Sequence, residues 1–275
     1  MTSNECEVFD QGSGPTLVLL HGVGGSWKIW TPVLNALTPH FRVVAPTLPG
    51  HPGGVPLVAA EGAPSIDHIA DALLVQLQGM GLKSAHLVGN SMGGWLAVEL
   101  ARRGFAASVL ALSPAGAWKE ASDYKDLTKR LLLSFYLIPL IYLLMRLFLW
   151  IPFIRRVLGR DTMVHGDRVS SVELAAIMRQ FGGTSMMPAL FENVGHKGQI
   201  KPYHDPTVPV TIAWSEHDRV IPFDRYGEPF HARVTGATSD VIHDAGHVPM
   251  YDNSVEVVRA IFRTTMKAPS QRGIA

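Results

Sequence analysis

Leu87-Val88-Gly89-Asn90-Ser91-Met92-Gly93-Gly94 is the stretch from which the rest of this chain is read. It carries the pattern Gly-x-Ser-x-Gly, directly after an apolar run at residues 85–88 and directly before a helical pattern at residues 95–103. Strand, sharp turn, helix is the context in which a serine hydroxyl is lifted clear of a sheet. The tip of so tight a turn is strained, and its neighbours must lack side chains if strand and helix are to approach each other; Gly89, Gly93 and Gly94 meet that need. The turn also leaves the N–H of Met92 at a helix N-terminus, free to donate to developing negative charge.

The chain around this turn alternates. Strands are expected at residues 5–9 (an edge), 16–20, 41–45, 107–112, 209–214 and 238–243, with a turn at 11–15. Between them, Ser26 is placed to cap a helix whose apolar face is Trp27, Trp30, Val33, Leu34 and Leu37. Ile66, Ile69, Ala70, Leu73, Leu74 and Leu77 follow a second helical face, started by Ser65 or Asp67 and stopped by Gly79 or Gly81. Residues 46–64 are rich in proline and glycine and read as a long irregular loop. Residues 254–266 close the chain as an amphipathic helix with Val255, Val258, Phe262 and Met266 on one face, and a frayed tail is expected over 267–275. Strands alternating with helices argue an α/β fold: a mostly parallel sheet wrapped on both faces, with ligands beyond the carboxyl ends of the strands. From 115 to 206 the alternation stops and the pattern is helical. The expected organisation is therefore a core of 1–114 and 207–275 with a helical cap inserted at 115–206.

Composition narrows the function. The 275 residues suit one large α/β domain with an insertion. With 17% charged residues and a formal net charge of +1, no basic field points to nucleic acid. A single cysteine, Cys6, excludes an intramolecular disulfide and a cysteine-based zinc site. There is no Gly-x-x-x-x-Gly-Lys, no Gly-x-Gly-x-x-Gly after the first buried strand, and no Cys-His cluster, so neither nucleotide, metal nor other cofactor is expected. The first ten residues lack a basic-then-apolar leader, from which a cytoplasmic location is expected.

Three side chains fit one mechanism. A serine is a weak nucleophile until a base takes its proton; an imidazole suits that task, and a carboxylate orients the ring and stabilises it once charged. Ser91 is followed in chain order by Asp218, in Trp214-Ser-Glu-His-Asp-Arg-Val-Ile-Pro222 after one expected strand, and by His247, in Asp244-Ala-Gly-His-Val-Pro249 after the last. Glu216 and Asp244 are the competing carboxylates. Ser113-Pro114, after the strand that follows the elbow helix, offers none.

With His21-Gly22 after the first buried strand, the Gly89–Gly93 elbow, the acid loop and Gly246-His247, the sequence resembles the α/β-hydrolase superfamily in its small, cap-bearing, esterase- and lipase-like branch. The resemblance implies the α/β-hydrolase fold, a triad of Ser91, Asp218 and His247, and an oxyanion hole from the N–H groups of Val23 and Met92. His21 is then expected to hold the oxyanion loop through backbone hydrogen bonds, and His51 to fix the long loop beside the site.

The first function to expect is serine hydrolysis of a small-molecule carboxylic ester. A second is carbon–carbon bond hydrolysis of ring-cleavage products: the Gly-Asn-Ser-Met-Gly elbow is similar to that group's, and Arg179 would bind a substrate carboxylate. That group's tryptophan after the histidine is here Val248, and its oxyanion-loop asparagine is missing. A third is a non-catalytic binding protein on the same scaffold, which usually lacks a triad member. Residues 131–154 are almost uncharged. Pro139, Pro152 and Arg146 are expected to break them into two packed cap helices, because a spanning helix needs roughly 20 apolar residues. Phe135 and Leu144 are expected to line an apolar approach to Ser91. Arg130, Arg146, Arg155, Arg156 and Arg160 suit peripheral contact with anionic lipid headgroups.

Overall fold

The computed structural model describes residues 6–57 and 63–268. The expected tail beyond 268, residues 1–5 and the part of the long loop at 58–62 lie outside the described residues.

Seven strands form one sheet: β1 (Val8–Gln11), β2 (Thr16–Leu20), β3 (Arg42–Pro46), β4 (Ala85–Asn90), β5 (Ala106–Leu112), β6 (Val210–Ser215) and β7 (Thr238–Ile242), in the order β1-β3-β2-β4-β5-β6-β7. Only β1 runs antiparallel, pairing Val8 with Pro46 through Gln11 with Val43. That pairing carries the edge strand through Gln11, two residues beyond the expected end at Phe9. The central strands are apolar on both faces because helices cover both. One face packs against α2 (Ile66–Gly79) and α3 (Met92–Arg102) through Val18, Leu20, Leu73 and Leu96. The other packs against α1 (Thr31–Leu37) and the closing α10 (Ser254–Thr265) through Leu19, Val88, Val33 and Ile261.

Local signals account for the helix starts. Ser65 accepts from the N–H of His68 at 3.2 Å, capping α2. Ser26 makes no such cap; a 3₁₀ turn at Trp27–Trp30 leads into α1 with Pro32 in its first turn. In α10 the buried stripe is Val257, Ala260, Ile261 and Thr264. Val258 and Phe262 pack beside it, while Val255 and Met266 face solvent, so the expected face is turned by one residue.

Between β5 and β6 the described residues are helical, with α4 (Ala121–Met145), α5 (Pro152–Gly159), α6 (Ser171–Gly182) and α7 (Met187–Lys197). Here the expectation of a break at Pro139 fails. The helix α4 runs 25 residues through it. An interior proline costs about 3 kcal/mol, and packing offsets it: Gly182 of α6 lies so close that a Cβ there would sit 3.1 Å from the Pro139 ring. Ile138, Ile141 and Tyr142 pack onto a small cluster of Leu149, Met163, Leu174 and Met178. The opposite face of α4 has no such cover. Two further helices, α8 (Phe223–Arg233) and the short α9 (Pro249–Asp252), follow β6 and β7.

Candidate active site

The elbow is built as its glycines require. A Cβ on Gly89 would come within 2.0 Å of the Gly93 carbonyl oxygen, and one on Gly93 within 2.1 Å of that of Leu20. Helix α3 begins at Met92, immediately after the serine and three residues ahead of the expected start. Ser91 holds φ 57°, ψ −119°, a conformation costing of order 1–3 kcal/mol for a residue with a side chain. Its backbone is held by bonds the local sequence does not reveal: Ser91 N–H donates to Leu112 O at 3.0 Å, and Ala115 N–H donates to Ser91 O at 3.0 Å.

Asp218 and His247 meet at the carboxyl ends of β6 and β7. His247 Nδ1 lies 2.7 Å from Asp218 Oδ2, with the two side chains 8% and 1% exposed. The other oxygen, Asp218 Oδ1, accepts from the N–H groups of Val220 and Ile221, both at 2.9 Å, so the carboxylate is fixed by its own loop. A buried carboxylate is stable when its oxygens are hydrogen-bonded, as both of these are. Neither competing carboxylate reaches the ring. Glu216 is exposed and accepts from Asp244 N–H, which holds its carboxyl below the usual range, and Asp244 is bonded to His165 Nε2 at 2.9 Å. Ser91 Oγ makes no hydrogen bond among the described residues. Nucleophile–base contacts often tighten only with substrate in place.

The loop after β2 passes over the serine. A Cβ on Gly22 would be 3.1 Å from Ser91 Cβ. Two histidines hold this loop by accepting from backbone: His21 Nε2 from Leu48 N–H at 2.8 Å, and His51 Nε2 from Gly24 N–H at 3.1 Å. His21 Nδ1 lies 2.7 Å from Gly22 O, so the ring is neutral with its proton on Nδ1. Among the described residues, neither Val23 N–H nor Met92 N–H is engaged in another hydrogen bond.

Burial, and then its neighbour His51, push the pKa of His21 well below the ordinary histidine value; burial pushes His51 down to about 4. A histidine neutral in the fold and protonated in the unfolded chain contributes stability that is complete above about pH 6.5 and lost as pH falls toward 4. For His51 alone the loss is about 3 kcal/mol over that window. Thermal melts from pH 7 to 4 should therefore fall steeply, and less steeply in His51→Gln, whose amide oxygen can still accept from Gly24. Equal slopes would exclude His51 as a source.

Some positioning residues are not legible as such in the sequence. Asn90 Nδ2 donates to His247 O at 2.9 Å and to Leu112 O at 3.2 Å, joining the elbow strand to the histidine loop. Asp252, buried, accepts from Gly246 N–H at 2.8 Å, Val164 N–H at 2.9 Å and His165 N–H at 2.8 Å, tying that loop to the segment between α5 and α6. Gln180 of α6 donates to Gly25 O and Pro52 O, clamping the loop over the serine. An asparagine beside the elbow serine and a carboxylate five residues after the histidine are their traces in sequence.

Beside Ser91 lies a narrow pocket of about 60 Å³. Val23, Met92, Trp95, Leu127, Leu131 and Leu190 line it, and no cation or carboxylate does. Trp118, Tyr124 and Phe191 separate it from an open groove of about 830 Å³ between α4 and α7, and the Tyr124 hydroxyl donates to Phe191 O across that wall. Of the expected substrate contacts, none lines the pocket. Phe135 stacks edge-on against Tyr136 a turn further along α4, and Leu144, beyond it, is 61% exposed. Arg179 donates to the Tyr142 hydroxyl at 2.8 Å and lines a different groove, beside Lys28 and Tyr251. Of α4, only the first part, through Tyr124, Leu127 and Leu131, borders the pocket beside the serine.

The fold and the elbow define a class, and comparison with known proteins agrees. The chain belongs to the alpha/beta hydrolase family, whose model matches residues 17–260. It is similar to epoxide hydrolase EphH of Mycobacterium tuberculosis, 32% identical over 190 residues, covering 67% of this chain and 87% of that one. Over 91 residues, about a third of each chain, it is 42% identical to the pimeloyl-[acyl-carrier protein] methyl ester esterase of Vibrio vulnificus. Among solved structures it superposes on a thermophilic esterase from Thermogutta terrifontis with a TM-score of 0.68 at 20% identity, covering 94% of this chain and 90% of that one.

Proposed function

We propose that this protein is a serine hydrolase of carboxylic esters bearing an uncharged, apolar acyl or ring-containing group. The observation that carries the reading is the buried Asp218–His247 pair, 2.7 Å apart at the strand ends, whose histidine carbonyl accepts from Asn90, the residue before the elbow serine. In this mechanism His247 Nε2 takes the proton of Ser91 as Oγ attacks the ester carbonyl. The N–H groups of Val23 and Met92 receive the oxyanion. Collapse expels the alcohol, which takes its proton from His247. Water, deprotonated by the same ring, then attacks the acyl-enzyme, and the acid leaves as Ser91 regains its proton. Asp218 holds the tautomer and stabilises the imidazolium. No step calls for a cofactor.

Epoxide opening is the other class suggested by the relatives. Its chemistry calls for a different nucleophile. An alkoxide opening an epoxide would leave an ether on the serine, with no carbonyl for water to attack, whereas a carboxylate would leave a hydrolysable ester. Serine at 91 therefore favours acyl transfer, in line with the partial likeness to a methyl ester esterase. Carbon–carbon bond hydrolysis of a carboxylate-bearing substrate is disfavoured by a pocket with no cation and by Arg179 lying on Tyr142.

The test is a series of p-nitrophenyl esters of increasing acyl length. Each buried methylene adds about 0.8 kcal/mol at best, roughly fourfold in kcat/KM. The series should rise from acetate to a medium chain and then level as the pocket fills. Leu131→Ser should flatten the rise. Phe191→Ala, which opens the wall to the groove, should move the optimum to longer chains. No ester turnover, together with turnover of an epoxide, would overturn the proposal.

A further inference from the structure

From Leu131 to Met145 helix α4 carries no charge on any side, and only one side of it has a partner. Its most apolar 18-residue stretch has a mean hydropathy of 1.6 and no buried residue. Leu133, Tyr136, Leu140 and Leu144 form one exposed stripe at helical spacing. The surface continues past the helix end through Leu147, 73% exposed, and Trp150, 72% exposed, and onto α5 at Phe153, 70% exposed. A contiguous apolar surface of this kind marks an interaction site.

Charge selects the partner. From residue 127 to 160 the sequence has six cations (Lys129, Arg130, Arg146, Arg155, Arg156 and Arg160) and no carboxylate, in a chain whose net charge is only +1. Not all are available. Arg130 donates to the carbonyls of Arg219 and Val220, Arg155 to those of Leu149, Trp150 and Asp167, and Arg160 faces Asp161. Arg146 and Arg156 are exposed and, among the described residues, their guanidinium groups make no ion pair or hydrogen bond. In sequence they bracket the exposed run Leu147, Trp150 and Phe153, Arg146 just before it and Arg156 just after. Side chains of this mixture suit the boundary between headgroups and acyl chains, with aromatic rings at headgroup level and arginines on anionic phosphates.

A second copy is the poorer fit, because a self-complementary contact would set this cation-rich surface against itself. A spanning helix also fits poorly. The charge-free part of α4, residues 131–145, is about 22 Å long at 1.5 Å per residue, short of the roughly 30 Å hydrocarbon core, and its inner side is packed on α6. We propose that the outer face of α4, the following turn and α5 dock in the plane of an anionic lipid bilayer.

Flotation of the full chain with vesicles tests this without reference to any activity. It should float with phosphatidylcholine vesicles containing phosphatidylglycerol and bind pure phosphatidylcholine more weakly. Leu140→Asp with Leu144→Asp should abolish flotation on both; the two positions are exposed, so circular dichroism and thermal melting should match the wild type. Arg146→Gln with Arg156→Gln should weaken binding to the anionic vesicles by about 25-fold, roughly fivefold per cation, and leave the neutral ones unaffected. Three results would overturn the proposal: flotation with neither vesicle, flotation unchanged in the leucine variant, or a stable dimer in light scattering that the leucine variant dissociates.

Discussion

Ser91→Ala is expected to reduce ester turnover by about four orders of magnitude or more with the fold intact. Two features of the elbow set this expectation. The hydroxyl makes no hydrogen bond among the described residues, so removing it breaks no structural contact. The backbone at 91 already carries a Cβ at φ 57°, and alanine adds no further strain. What is lost is the nucleophile alone. The loop after β2, held by His21 and His51, remains, so substrate binding should change little and the loss should fall on kcat. Activity above a tenth of wild type would assign the chemistry to another residue.

Asp218→Asn should cost about 10⁴ in kcat. The variant keeps an oxygen to accept from Val220 and Ile221, so the acid loop should hold its shape. Its amide nitrogen would face His247 Nδ1, which must then be unprotonated, placing the proton on Nε2 where it cannot receive one from Ser91. Glu216→Gln should change turnover by less than about threefold, because Glu216 is exposed and faces Asp244 and not the ring. Steady-state kinetics of the two variants side by side check the assignment; the reverse ranking would move the acid to Glu216.

The parts of this molecule that are legible in sequence are those written in consecutive residues. The elbow is one, since its glycines, strand and helix lie within about a dozen positions. Asp218 and His247 are legible because a parallel sheet brings the ends of successive strands to one edge, and both follow such ends. The structural role of His51 could be anticipated, but not that its acceptor nitrogen holds Gly24, 27 residues away. Asn90 and Asp252 were not legible as positioning residues because their partners are distant in sequence. Asn90 reaches His247 across 157 residues, and Asp252 reaches Val164 across 88. Helix α4 misleads for a different reason. When Leu, Ile, Phe and Tyr recur on every side, periodicity cannot say which face is covered. Pro139 reads locally as a stop although tertiary packing carries the helix through it. Phe135 and Leu144 are expected near the serine because residues 131–154 are more apolar than a helix pair needs, but a surplus of apolar side chains does not say which way it faces, and Leu144 faces outward.

If ester hydrolysis proceeds through an acyl-enzyme on Ser91, that bond can be trapped. The intact protein should react with a fluorophosphonate probe, gain one adduct by mass, and place it on the peptide carrying Ser91 after digestion. Ser91→Ala should gain none, and Asp218→Asn should label far more slowly. A protein that turns over esters but yields no adduct, or carries it on another residue, would contradict the account.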